Sequence, residues 1–263
     1  MDTSLSYMTL GSCFSIEVAK LMQQDGCEVV VNPFGTLFNP CSIRDSLQRL
    51  AHPHPFTEKD CVMMGAGADL WCDFHHYTRF ARPTQIEFLE NANRSLREAA
   101  QSYARAKVLI LTFGTAWCFR YLPQGHPMSG RVVANCLKRP AAEFSRERLT
   151  VDEIVSLYTD FVQTRGCLGN SAVCPKEIIF TVSPVRHPAD GLQGNMASKS
   201  ILMLSCEKLT QIGPARYFPS FEIMMEQLRG ADAYAADGRH PSDASVRFIY
   251  QRFQEFMGGS LSF

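Results

Sequence analysis

An excess of charge of either sign is missing from this 263-residue sequence. Its 26 lysines and arginines are balanced by 26 aspartates and glutamates, so the formal net charge is zero. A neutral chain has no field of one sign that would attract a polyanion. The composition therefore argues against nucleic acid and anionic membranes as partners, and it leaves the oligomeric state open.

Long apolar runs are missing as well. No stretch approaches the 18 apolar residues of a membrane-spanning helix, and the opening MDTSLSYMTL lacks the basic and apolar regions of a signal peptide. Internal repeats, low-complexity tracts and linkers are also absent. We therefore expect one cytoplasmic domain over residues 1–263. Its ten cysteines are expected to be reduced and mostly buried thiols.

What is present is an alternation of short apolar runs and helical patterns. Strands are predicted over 5–10, 28–31, 108–112 and 178–183, and residues 216–228 start extended and become helical. Helices are predicted over 16–24, 42–50, 85–104, 151–165, 198–212 and 242–257, with irregular connections at 51–84 and 115–149. This order predicts an α/β fold, a parallel sheet with helices on both sides.

Ligands of such sheets bind at the carboxyl ends of the strands, so the loops there come first. The first strand is followed by Gly11-Ser12-Cys13-Phe14, which leads directly into a helix. Free N–H groups at a helix N-terminus favour negative charge, so they would lower the pKa of a thiol and stabilise an oxyanion. A plain turn with Ser12 as the helix cap explains this segment equally well.

The next two loops offer candidate donors to an oxyanion. Asn32 and Gly35 follow the second strand, and Thr115 follows the third. Gly35 can present a backbone N–H and Thr115 a hydroxyl. Taken alone, each of these residues is better explained as part of a turn or a cap.

Asp237 and His240 stand in the loop before the last helix. A carboxylate three residues before a histidine can accept the Nδ1–H of the ring, which leaves Nε2 free as a base. The alternative is that Ser242 caps the helix and His240 is incidental. The order of nucleophile first and histidine last, on loops that meet at one edge of the sheet, favours the catalytic interpretation.

Three further residues are candidates for binding substrate. His187 and Arg186 follow the fourth strand, where His187 can line the pocket and Arg186 can bind an anionic group. A structural turn explains this pair equally well. His75 lies in the long connection 51–84 and is assigned to a substrate-side loop. Its neighbours Cys61, Cys72 and His76 lack the paired spacing of a zinc site, so we predict no metal and no cofactor.

Several stretches together resemble one known family, GSCFA, which is named for a Gly-Ser-Cys-Phe-Ala motif. The matching segments are Gly11-Ser12-Cys13-Phe14-Ser15, Asn32-Pro33-Phe34-Gly35, Gly114-Thr115-Ala116-Trp117, Ala134-Asn135-Cys136, Thr181-Val182-Ser183-Pro184-Val185-Arg186-His187, Tyr217-Phe218-Pro219-Ser220 and His240-Pro241-Ser242. Only Ser15 departs from the name-giving motif. The family in turn resembles the SGNH/GDSL hydrolases, which implies a three-layer, flavodoxin-like sheet of about five strands.

The resemblance also implies an activity, that of an esterase or an acyltransferase acting on a small-molecule or carbohydrate ester. The Asp-x-x-His block of that superfamily falls on Asp237 and His240. Its Gly-x-Ser block places Cys13 at the nucleophile, whereas a shift of one residue places Ser12 there. The Gly-x-Asn block falls on Gly114-Thr115-Ala116, so its asparagine is missing and Thr115 or Asn32 is left to replace it. A decayed hydrolase that only binds carbohydrate is the alternative.

Overall fold

The computed structural model describes residues 1–259, so residues 260–263 of the expected domain lie outside the described part. The strands in chain order are β1 (Ser6–Gly11), β2 (Glu28–Val31), β3 (Cys61–Met63), β4 (Trp71–Asp73), β5 (Val108–Phe113), β6 (Trp117–Tyr121), β7 (Val132–Val133), β8 (Phe144–Arg148), β9 (Glu177–Val182) and β10 (Ala215–Phe218). The α-helices are α1 (Cys13–Gln24), α2 (Pro40–Ala51), α3 (Gln85–Arg105), α4 (Val151–Gln163), α5 (Gly191–Ile212), α6 (Ser220–Glu222) and α7 (Asp243–Met257).

Five parallel strands form the central sheet in the order β2-β1-β5-β9-β10. This is the doubly wound, flavodoxin-like order, in which β2 lies on one side of β1 and the later strands β5, β9 and β10 are added on its other side. Gly11 is in register with Thr112, and Thr112 with Thr181, so the carboxyl ends of the three middle strands form one row. The predicted parallel sheet of about five strands is confirmed.

Helices cover both faces of this sheet because its strands are apolar on both sides. Tyr7 and Ile110 face a core shared with α1 and α7, whereas Met8, Leu109 and Leu111 face a larger core shared with α2 to α5. The β5 strand is buried along its whole length, as a central parallel strand must be. The three-layer α/β/α arrangement predicted from the sequence is therefore present.

Both connections that were predicted to be irregular contain short antiparallel strands. The 51–84 connection holds the β3–β4 hairpin, and the 115–149 connection holds a three-stranded sheet in the order β7-β6-β8. These strands are two to five residues long, and β6 and β8 are partly exposed. Their periodicity is too short to stand out from a loop.

The α5 helix begins seven residues earlier than its pattern suggests, at Gly191 instead of Ser198. Gly191 and Gly194 in its first turn have low helix propensity, which hid the start. Within residues 1–259, no helix combines the length and the apolar character needed to cross a membrane.

Candidate active site

The turn after β1 requires glycine at position 11. The φ of Gly11 is +147°, and a Cβ there would lie 2.2 Å from the backbone oxygen of Thr112. Ser12 N–H donates to the same oxygen at 3.1 Å. The chain therefore turns hard against β5, and α1 starts at Cys13 on the row of strand ends.

The two candidate nucleophiles differ in access. Ser12 is 1% exposed, and its buried Oγ has no hydrogen-bond partner among residues 1–259, not even as a cap of α1. Cys13 is partly buried and lines a cavity at this edge of the sheet. The thiol can thus meet a ligand, whereas the hydroxyl lies behind it.

The electrostatics of Cys13 combine opposing effects. Burial raises the pKa of the thiol, while the backbone N–H groups of Cys13 and Phe14 and the charge of Lys199 act to lower it. The net pKa is above its usual range, so the expected net lowering by the helix N-terminus is wrong because burial outweighs it. Burial raises the pKa of two other thiols further, those of the partly buried Cys41 and the buried Cys118, to about 12.

Asp237 and His240 are in direct contact. His240 Nδ1 lies 2.6 Å from Asp237 Oδ2, and Asp237 Oδ1 accepts the backbone N–H groups of Arg239 and His240 at 2.8 and 3.0 Å. These hydrogen bonds, that of His240 first, hold the pKa of Asp237 well below its usual range. The imidazole is thereby oriented through Nδ1, which leaves Nε2 for other chemistry.

Cys13 and His240 both line a cavity of about 610 Å³. Its other walls come from the row of strand ends, from the loop after β9 and from the antiparallel sheet of the 115–149 connection. They include Thr36, Phe38, Asn39, Tyr77, Thr115, Trp117, Phe119, Asn135, Cys136, Arg146, His187, Asp190 and Arg239. A concave site in which polar groups converge and a histidine is oriented by a carboxylate is a usual setting for catalysis.

Asn32 and Gly35 lie beside this cavity but not in its wall. Both amide hydrogens of Asn32 are engaged, with Gly11 O at 3.2 Å and Ser15 Oγ at 3.0 Å. Gly35 N–H donates to Asn32 O at 2.7 Å, and the φ of Gly35 is +83°. Neither residue has a free donor for an oxyanion, because both hold the turns around α1 in place.

Thr115 and His187 do line the cavity. The Thr115 hydroxyl contacts Ser198 Oγ at 3.0 Å and accepts the N–H of Trp117 at 3.1 Å, so it already serves the local fold. His187 Nε2 is buried without a partner within residues 1–259. Burial, followed by the charges of Lys199 and Arg239, lowers the pKa of His187 to about 4. The ring is therefore neutral near pH 7 and can accept or donate one hydrogen bond.

Arg186 and His75 are placed elsewhere. Arg186 stacks on the ring of Tyr234, with its guanidinium carbon 3.5 Å from the ring centroid, and lines a separate groove behind His187. His75 packs against Phe56 in the hairpin region and does not contact the cavity. The guanidinium groups that do border the cavity are those of Arg146 and Arg239.

Other residues of the site had not been expected from the sequence. Trp117, Phe119 and Arg146 reach the cavity because the antiparallel sheet carries them there, with the Arg146 guanidinium 4.1 Å from the Trp117 ring centroid. Lys199 is 1% exposed and donates to the backbone oxygens of Gly114 and Ser183, which directly follow β5 and β9. A lysine on a helix usually faces solvent, so no local pattern marks this one as buried.

Two comparisons with known proteins gave different results. A search of curated proteins finds no match to this sequence. The model of the GSCFA family, in contrast, matches residues 6–253, a range that includes Cys13, Asp237 and His240. This match covers nearly the whole chain, which therefore belongs to the GSCFA family, and membership of that family suggests a hydrolase-like protein.

Proposed function

We propose that this protein is an acyl-ester hydrolase that uses Cys13 as nucleophile, His240 as base and Asp237 to orient the base. One observation carries the proposal: Cys13 and a His240 ring hydrogen-bonded to Asp237 line the same cavity. A thiol at a helix N-terminus and an oriented imidazole are the two parts that covalent acyl transfer requires.

In this mechanism Asp237 accepts the Nδ1–H of His240, and Nε2 takes the proton of the Cys13 thiol. The sulfur attacks the ester carbonyl, and the N–H groups at the start of α1 stabilise the tetrahedral oxyanion. When the C–O bond breaks, His240 returns the proton to the leaving alcohol. A water molecule, activated by His240, then cleaves the thioester and releases the acid. In an acyltransferase, a second alcohol takes the place of this water.

The cavity wall supports a carbohydrate ester as substrate. Tyr77, Trp117 and Phe119 offer aromatic surface, and Asn39 and Asn135 add amide groups. Aromatic rings with a few convergent polar groups suit ligands that alternate apolar faces and hydroxyls. An acetylated sugar fits this description better than a long acyl chain, which would need a continuous apolar tunnel.

The test is to mix the protein with p-nitrophenyl acetate, quench within seconds and map the acetyl group by peptide mass spectrometry. We expect acetyl on Cys13 in the wild type and none at this site in Cys13→Ala. In Ser12→Ala the label on Cys13 should persist. His240→Ala should either accumulate the acetyl-enzyme, if the histidine mainly activates water, or prevent its formation, if it mainly activates the thiol.

Cys136→Ala is the matched control, because Cys136 is a second partly buried thiol in the same cavity. It should acetylate and turn over like the wild type. Equal labelling of Cys13 and Cys136, independent of His240, would mean nonspecific thiol chemistry and would contradict the proposal. Label on Ser12 alone would transfer the nucleophile role to the serine.

A non-catalytic carbohydrate-binding protein is the second candidate, favoured by one observation. The side-chain and loop donors expected for an oxyanion, on Asn32, Gly35 and Thr115, are engaged within the fold. This candidate predicts no acyl-enzyme with any ester. It also predicts that His240→Ala leaves the affinity for an acetylated oligosaccharide, measured by calorimetry, unchanged.

A further inference from the structure

A second concave site, here called the Arg186 groove, has a volume of about 510 Å³. It is formed by the turn after β9, the first two turns of α5 and the segments around Phe221, Met225 and Tyr234. His187 lines both this groove and the cavity described above, whereas Cys13 and His240 line only the cavity. The groove is of the size that small-molecule sites have, and the proposed function leaves it unused.

The wall of the Arg186 groove is mostly apolar. Its apolar side chains are Leu192, Met196, Phe221, Met225 and Tyr234. Leu192 is 92% exposed and Met196 is 42% exposed, although both are large apolar residues. Scattered exposed apolar residues need no explanation, but apolar residues gathered around a concavity indicate a binding surface. Flexible methionine side chains can adapt to the shape of an apolar ligand.

Arg186 brings a positive charge to this apolar wall. Its guanidinium carbon lies 3.5 Å from the centroid of the Tyr234 ring, and stacking of this kind leaves the N–H edge of the guanidinium available. Nη1 reaches the backbone oxygen of Gly238 only at 3.5 Å, which is a weak hydrogen bond. Arg186 makes no ion pair within residues 1–259.

Neighbouring titratable groups do not neutralise Arg186. The carboxylates nearest to the groove in sequence are bound to other groups: Asp190 to Arg146, Glu222 to Tyr217, Glu226 to Arg229 and Asp237 to His240. Burial keeps the pKa of Tyr234 above its usual range despite the adjacent cation, so its phenol stays neutral. His187 is also neutral near pH 7, since its pKa is about 4. The groove therefore has one uncompensated positive charge.

Asn195 provides a second polar group in the groove wall. Its Oδ1 accepts the backbone N–H of His187 at 3.0 Å, which ties Asn195 to the segment that carries Arg186. The amide hydrogens of Asn195 have no acceptor within the described residues. One guanidinium and one amide suit a planar anion with a single charge, which is a carboxylate. A phosphate dianion would call for more cations.

We propose that the Arg186 groove binds a monocarboxylic acid with an apolar alkyl or aryl body. The carboxylate lies against Arg186 and Asn195, and the apolar body packs on Met196, Phe221 and Met225. This binding site does not rest on the proposed function, because it lies outside the cavity that contains Cys13 and binding is measured without an ester.

The experiment titrates the protein with hexanoate, and with hexanamide as its uncharged isostere. The ¹³C-methyl NMR signals of Met196 and Met225, assigned by single substitutions to leucine, report occupancy of the groove. Hexanoate should shift both signals to saturation, and Arg186→Met should weaken its binding roughly 10- to 100-fold, as for loss of a charged hydrogen bond. Arg247→Met, which changes the net charge equally at an exposed position outside the groove, is the matched control and should bind like the wild type.

Two substitutions at the exposed Leu192 test the sign of the charge without disturbing the core. Leu192→Lys should tighten hexanoate binding and Leu192→Glu should weaken it, each roughly two- to fivefold. Equal affinities for hexanoate and hexanamide, or an unchanged affinity in Arg186→Met, would overturn the proposal. Loss of binding in Cys13→Ala would also overturn it, because the acid would then occupy the other cavity. Normal hexanoate binding without any acetyl-enzyme would count against the proposed function alone.

Discussion

Asp237 reaches His240 with about half of its side chain exposed to solvent, so its value to the protein lies in orientation more than in stability. In Asp237→Asn the amide can no longer accept the Nδ1–H as a carboxylate does, which permits the wrong tautomer. We expect ester cleavage to fall roughly 10²- to 10⁴-fold, as for loss of general-base function. Initial rates with p-nitrophenyl acetate measure this.

Asp69→Asn, which changes an exposed aspartate away from the cavity, is the control and should retain the wild-type rate. Circular dichroism should show the same fold for both variants. If Asp237→Asn keeps more than half of the activity, His240 is oriented by another group.

The turn between β1 and α1 depends on the backbone of Gly11. In Gly11→Ala the new Cβ would meet the Thr112 oxygen at 2.2 Å with φ at +147°. We expect a loss of roughly 3 kcal/mol or more in the free energy of unfolding, as measured by urea denaturation.

The matched substitution is Gly26→Ala, where φ is also positive but nothing lies within 4 Å of the new Cβ. Its cost should be only about 1 kcal/mol, the conformational penalty alone. Equal costs at the two positions would mean that β5 gives way to the side chain and that the turn is not sterically fixed.

Individual residues were predictable where a local pattern marked them. Cys13, His187 and His240 stand at strand or helix ends, and all three line the cavity. Asn32 and Gly35 also stand at a strand end, but their donors turn inward, which depends on side-chain packing that no spacing reveals. Lys199 was missed because its burial results from two strand ends far apart in sequence.

At the scale of elements, Asn32 joins three of them. Its side chain bonds the backbone of Gly11 at the end of β1 and the hydroxyl of Ser15 in α1, and Asn32 itself follows β2. Asn32→Ala would leave the buried N–H of Gly11 unpaired. We expect a loss of about 2–3 kcal/mol in the free energy of unfolding, because an unsatisfied buried group carries its desolvation cost.

The control is Asn91→Ala, which removes one exposed hydrogen bond to Arg94 and should change stability by less than about 0.5 kcal/mol. Chemical denaturation of both variants decides the comparison. If Asn32→Ala is as stable as Asn91→Ala, water satisfies the vacated groups and the three elements do not depend on this link.

The strands of the central sheet and the helices that cover it could be predicted from the sequence, but the short antiparallel strands could not. Strands β5 and β9 are continuous apolar runs, and α4 has a clear amphipathic period, so both types were predicted in the right place. The β6–β8 sheet is held by long-range pairing, such as Trp117 with Arg148, and its strands carry polar residues. Pairing between short segments is not encoded in either segment alone.

For the whole molecule, three partly buried histidines with lowered pKa values predict a loss of stability in mild acid. Burial lowers the pKa of His187 to about 4, and it also lowers the pKa values of His75 and His126. An unfolded histidine takes up a proton near pH 6.5, so below that pH the unfolded state binds more protons and is favoured. Stability should therefore fall as the pH drops from 6.5 towards 4.

His187→Gln isolates the contribution of one ring. From the pKa shift, up to about 3 kcal/mol of the loss between pH 6.5 and 4 should disappear in this variant, as measured by urea unfolding at each pH. His54→Gln, which changes an exposed histidine, should keep the wild-type pH dependence. If both variants lose stability in parallel with the wild type, His187 is protonated within the folded protein.

The antiparallel sheet that walls the cavity has a consequence for how this protein can diversify. It is contributed by one contiguous stretch, residues 115–149, whereas Cys13, Asp237 and His240 belong to the ends of the chain. If the proposed function holds, ligand preference and reaction chemistry belong to separate segments of the chain. Exchange of this single stretch between homologues is a way to change what is recognised while the inherited reaction is kept.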